Sequence, residues 1–136
     1  WIDKKQVEEV AEEYKNKFDI RTPSLQQHIG NLSGGNQQKC CLAKWLAIKP
    51  KVIILDEPTK GIDIGAKEEI HKIIHQLVKN DIAVILISSE LPEIIGASDN
   101  IIVMYEGKIS GQFNHKIDNI TQDLLMTSAA GIAKAI

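Results

Sequence analysis

With 136 residues, 43% of them hydrophobic, the chain has the size of one ordinary domain and enough apolar material for a real core, which argues against disorder. A formal net charge of -2, with no strongly basic stretch, argues against nucleic acid as the main partner. Apolar runs such as Val52–Leu55 and Ala83–Ile87 fall short of the about 18 residues a membrane helix needs, and the first residues carry no signal-peptide pattern.

Val7, Val10, Ala11, Tyr14 and Phe18 recur at helical spacing, with Lys and Glu between them. This predicts an amphipathic helix over residues 3–18 with a solvated charged face. Thr22 and Pro23 interrupt the pattern. Ser33 is placed to cap a second helix from about Gly34 to Ile48, which Pro50 ends. "KVIILDEP" then reads as a buried strand that stops at its carboxyl edge. Ile70, Ile73, Ile74 and Leu77 mark a helix from about Ala66 to Lys79. "IAVILIS" is a second buried strand, followed by a short helix over Leu91 to Gly96 with Pro92 in its first turn. "NIIVMYEGKISGQF" reads as a hairpin turning at Glu106-Gly107, and residues 119–129 as a last helix. Buried strands alternating with helices predict a parallel α/β sheet, whose chemistry gathers where the strands end.

Two cysteines, Cys40 and Cys41, are adjacent in the second helix, where a mutual disulfide is geometrically awkward. They read as small buried apolar residues in a reducing, cytoplasmic setting. The chain opens on Trp1, and its two methionines are Met104 and Met126, which reads as a piece of a longer polypeptide. Such a piece is expected to be marginally stable or self-associating, because a parallel sheet without its neighbouring strands exposes an apolar edge.

Three segments carry candidate chemistry. In "VIILDE", a carboxylate directly after a buried strand can hold Mg²⁺ through water beside a phosphate, and the second acid can polarise an attacking water. The plain alternative is that Asp56 and Glu57 end a strand and cap the next turn. In "LSGGNQQK", small residues let a helix N-terminus approach an anion closely, and the Ser33 hydroxyl adds a donor. Alone, that segment reads equally well as a capped helix with a Gly-rich lead. With the acid pair of the next strand behind it, the signal is far more specific. Gly61 to Asp63, "GID", could cross to a partner surface or be an ordinary loop. Asp56-Glu57 and Ser88-Ser89-Glu90 both end strands and are candidates to share one site. His71 and His75 stand one helical turn apart, but no third ligand accompanies them and surface or boundary positions are the better reading. These residues contain no G-x-x-x-x-G-K-[ST], so the metal and water end of a phosphoryl-transfer site stands here without its phosphate clamp.

In this order, "NLSGGNQQK", "VIILDEPTKGIDIGAK" and "ISSELPEIIGASDNIIVMYEGKI" resemble the ATP-binding subunits of bacterial ABC sugar importers of the ribose, galactose and xylose type. The resemblance runs from Val7 to the end. It implies a partial P-loop NTPase: the C-terminal part of the second of two tandem nucleotide-binding domains, with residues 1–49 forming the helical and signature part and residues 50–136 running from Walker B onward. It also implies ATP and Mg²⁺ as cofactors, and a position on the cytoplasmic face of the bacterial inner membrane. The implied partners are the first nucleotide-binding domain or a second subunit, a membrane permease and, indirectly, a periplasmic sugar-binding protein. Family likeness further implies that Ser33, Gly34 and Gly35 contact the γ-phosphate of ATP held by the partner domain, with Gln37 nearby. By the same likeness Asp56 supports Mg²⁺, Glu57 orients water, and Asp63 couples the two sites. The family at large has a histidine where this chain has Ser89, and serine has no proton to exchange near neutral pH. The site of Glu57 and Ser89 is therefore expected to turn over slowly or not at all, and the isolated chain to be inactive. The alternatives are an inactive fragment or a non-transport ABC ATPase.

Overall fold

The computed structural model describes residues 3–132. These fall into two compact units, the first reaching Ile85 and the second starting at Leu86.

The first unit opens with helix α1, Lys4–Lys17. The Asp3 carboxylate caps it by accepting from the Lys5 and Gln6 amides. Its apolar stripe ends in Tyr14 and Phe18, both buried and meeting edge to face. The Tyr14 hydroxyl donates to the Leu46 carbonyl at 2.7 Å, which satisfies an end carbonyl of the next helix. That helix, α2, spans Gly34–Leu46 and stops short of Ile48, which is 72% exposed. A short 3-10 turn at Ile29–Asn31, without a clear sequence signal, precedes it. Residues of α1, α2 and the segment between them line an apolar groove of about 550 Å³.

Strand β1, Val52–Asp56, pairs with β2, Ala83–Ile87, in a parallel sheet. Neither strand is buried on both faces, contrary to the expectation of two buried strands. Ile53 and Leu55 are buried, while Val52 and Ile54 are 54% and 64% exposed. Alternate side chains point to opposite faces, and among the described residues only one face of β1 is covered. Helix α3, Ile64–Lys79, begins two residues earlier than expected because Asp63 caps it, accepting from the Ala66 amide at 2.9 Å. Its buried stripe is Ala66, Ile70, Ile73, Ile74 and Leu77.

The second unit holds α4, Leu91–Ala97, then β3, Asn100–Tyr105, and β4, Lys108–Asn114, then α5, Gln122–Ala129. Strands β3 and β4 pair antiparallel around Glu106 and Gly107. Both turn residues have positive φ, 47° and 76°, so the turn twists in the sense a two-residue hairpin needs. At the register shift between Val103 and Met104, Ser110 is the extra residue, a bulge in β4. Helix α5, capped by Thr121, packs on the hairpin and buries Leu125. The expected helix began at residue 119; the Thr121 cap sets the later start.

Candidate functional site

Small residues let the N-termini of α2 and α3 approach each other. An ideal Cβ on Gly35 would lie 2.5 Å from the Ala66 Cβ, so the two helices touch where only glycine fits. A Cβ on Gly34 would lie 3.2 Å from the Ile62 side chain and 3.8 Å from the Gly61 carbonyl. The Ser-Gly-Gly segment therefore rests against the "GID" loop, a link that sequence spacing alone does not disclose. Ser33, Gly35, Asn36 and Asp63 line one polar cleft of about 200 Å³, with Arg21 and Glu69 at its walls.

Ser33 occupies the N-cap position of α2, but its hydroxyl caps no backbone amide. This corrects the expected capping contact. Instead its Oγ accepts from Asn36 Nδ2 at 2.9 Å, while Asn36 Oδ1 accepts from the Arg21 amide at 2.9 Å. Because the hydroxyl acts as acceptor in that bond, its proton can still be donated to a ligand. The early amides of α2 have no intrahelical acceptor and sit at the positive end of its dipole, so this helix terminus favours an anion. Gln37 turns the other way: its Nε2 donates to the Leu32 carbonyl at 2.8 Å and braces the loop before the motif.

Asp56 closes β1 with an exposed side chain, and half-buried Glu57 follows with φ 49°. A left-handed non-glycine residue at a strand end costs about 1 to 2 kcal/mol, and such strain is held where the side chain's direction matters. Thr59, 1% exposed, anchors the turn beyond it, and the Lys60 amide donates to the Glu57 carbonyl. Asp63 is exposed at the head of α3. Ser88 and Ser89 follow β2 in the second unit, where Ser88 Oγ accepts from the Glu90 amide at 3.0 Å and Ser89 is exposed.

Among the described residues no three His, Cys, Asp or Glu side chains gather as a metal cage. An acceptor-only carboxylate at a strand end still fits Mg²⁺, which keeps waters and ligand phosphates in its shell. His71 is half-buried and His75 exposed. The cysteines are free, and they are not both buried as expected: Cys40 is half-buried and Cys41 exposed, because α2 turns successive residues by about 100° to different faces.

The sequence reading missed Lys39. It is 2% exposed, and its Nζ meets Glu69 Oε2 at 2.7 Å and donates to the Asp19 carbonyl at 3.0 Å. Its spacing from Gly35, Leu42 and Leu46 on the buried stripe of α2 was the available signal.

Residues 2–60 match the family model for the ABC transporter. Over 133 residues the chain is 45% identical to the ribose import ATP-binding protein RbsA of Yersinia pestis bv. Antiqua (strain Antiqua), covering 98% of this chain and 26% of that protein. The chain is similar to ABC transporter ATP-binding proteins over nearly its whole length. It is also 51% identical to RbsA of Clostridium perfringens (strain SM101 / Type A) over 131 residues, covering 96% of this chain and 26% of that one. For RbsA of Roseobacter denitrificans the figures are 52% over 126 residues, 93% and 24%. The chain thus spans about a quarter of the length of these relatives. Among solved structures, the ATP-binding cassette MJ1267 superposes with a TM-score of 0.79 at 23% identity, over 99% of this chain and 53% of that one. The dimeric bacterial ABC transporter cassette MJ0796 superposes with a TM-score of 0.72 at 21% identity, over 84% and 49%. The α/β fold of an ABC ATPase, with a parallel sheet and a C-terminal hairpin, is thereby established. Among the described residues no helix is long and apolar enough to cross a membrane.

Proposed function

We propose that this chain is the C-terminal part of a nucleotide-binding domain in the ATP-binding subunit of a bacterial sugar importer, where it takes part in ATP binding and hydrolysis. The observation that carries the reading is the placement of Ser33 and Gly35, at the head of α2, in one cleft with Asp63, at the head of α3. Such a surface presents backbone amides and a serine hydroxyl to an anion held from outside. In the proposed assembly, Ser33, Gly34 and Gly35 close over the γ-phosphate of ATP bound by a partner domain. Gln37 holds their loop through Leu32. Asp63 faces the same junction. On its own domain's side, Asp56 would hold Mg²⁺ through water and Glu57 would orient the attacking water, with Ser89 in the histidine position. Bound Mg²⁺ neutralises charge that develops on the transferring phosphoryl group. The relatives' names support ribose-type sugar import; in this reading the chain docks on a membrane permease at the cytoplasmic face of the membrane.

The test compares two substitutions in the full-length polypeptide that carries this segment. Gly35→Asp places bulk and negative charge against Ala66 and the phosphate, and it abolishes ATP hydrolysis. Glu57→Gln lowers turnover less than about twofold, because the productive site is the one to which this chain lends Ser33–Gly35; a catalytic carboxylate in a productive site would cost about 10²–10⁴-fold. Full activity in the first variant with loss in the second overturns the assignment.

A further inference from the structure

Lys39 is a buried charged residue that the proposed chemistry does not use. Its side chain is 3% exposed, while that of its partner Glu69 is 40% exposed. Burying an ammonium is costly, and a well-packed apolar pair of similar volume is commonly as stable as a buried ion pair or more so. Stability alone therefore gives a weak account of a lysine on this stripe.

Its location gives a better one. Lys39 lies one turn after Gly35 on α2, and Glu69 lies three residues after Ala66 on α3. Two kinds of contact thus join the same pair of helices. The Gly35–Ala66 contact sets how closely they approach, but an apolar contact tolerates sliding. The 2.7 Å ion pair sets the register along their axes. Lys39 also holds the Asp19 carbonyl, close in sequence to Arg21. The Arg21 amide holds Asn36, and Asn36 holds the Ser33 hydroxyl. The Arg21 guanidinium, 3.8 Å from Glu69, adds a second, exposed cation to the same carboxylate.

We infer that Lys39, through Glu69 and Asp19, is a positioning residue that fixes Ser33–Gly35 and Asp63 in the mutual arrangement a phosphate-bearing partner site requires. The inference rests on the function proposed above. Lys39 touches no ligand in this scheme; it acts through the two helices whose N-termini do.

The experiment uses the full-length polypeptide with the double substitution Lys39→Met/Glu69→Leu, which replaces the ion pair by apolar volume and leaves no orphan charge. Thermal unfolding, kcat and KM for ATP are measured together. The expected double variant melts at or above the wild-type temperature. Its kcat falls about 10- to 100-fold, the scale of a misplacement of about 1 Å, with KM changed less than about twofold. Lys39→Arg, which keeps the charge and its two acceptors, recovers most of the turnover. A double variant that turns over within about twofold of wild type overturns the inference. So does a loss of turnover that merely follows a lowered melting temperature. Gly35→Asp, assayed alongside, separates the levels: activity lost there but kept in the double variant overturns the positioning role alone. Activity kept in both overturns the functional reading and this inference with it.

Discussion

At the residue scale, the fit of α2 against α3 depends on single atoms. Gly35→Ala puts a methyl 2.5 Å from the Ala66 Cβ, so a helix must shift. Overpacking of this kind costs about 1 to 3 kcal/mol, to be read as a lower urea midpoint. Adding Ala66→Gly is expected to return part of the loss, since it removes the atom that is struck. Cys40 gives a pH-dependent expectation. Burial, and then the neighbouring Cys41, push its thiol above the ordinary value. The folded state therefore holds this proton more tightly than the unfolded state. The resulting stability is present below the unfolded thiol's ordinary value and is lost as pH rises through the higher folded value. In native protein at neutral pH, iodoacetamide is expected to label exposed Cys41 first and Cys40 slowly, with Cys40 catching up in denaturant. Peptide mass spectrometry distinguishes the two sites.

At the element scale, caps and turns decide where elements begin. Asp63 starts α3 two residues before the apolar periodicity would, and Thr121 sets the start of α5 in the same way. The β3–β4 turn uses Glu106 at φ 47° ahead of Gly107. Glutamate tolerates that conformation poorly, whereas Asn-Gly is the favoured pair for such a turn. Glu106→Asn is expected to stabilise the second unit by up to about 0.5 kcal/mol, the usual range for a surface change, seen as a small rise in denaturation midpoint. The helices, the two strand pairs and the hairpin turn were legible in the sequence because each has a period or a Gly/Pro signal. The 3-10 turn at Ile29–Asn31 was not, since three residues carry no period.

At the scale of the whole molecule, exposed apolar residues dominate the expected behaviour. Ile54 and Ile85 are 64% and 50% exposed, and Val52 is 54% exposed. An apolar strand face of this kind is a template for association. The 136-residue chain is expected to self-associate at micromolar concentration, with Ile54→Lys/Ile85→Lys shifting it toward monomer in sedimentation equilibrium. A monomeric wild-type chain at high concentration would show that this face is satisfied in another way. The same exposure corrects the reading of "VIILD" as a strand buried on both sides: a continuous apolar run states what a strand can bury, not what covers it.

The sequence by itself determined the element order, the α/β class and the candidate residues Ser33, Gly34, Gly35, Asp56, Glu57, Asp63 and Ser89, because motif spacing and hydrophobic period are local properties of a chain. It also carried the family likeness, through "SGGNQQK" and "LDEPTKGID". Only the tertiary structure decided that the Ser-Gly-Gly helix rests on the "GID" loop, that Asn36 rather than the backbone engages the Ser33 hydroxyl, and that Lys39 is buried against Glu69. Those facts depend on which faces of two helices meet, and that is fixed by close packing between residues distant in sequence, which no single segment encodes.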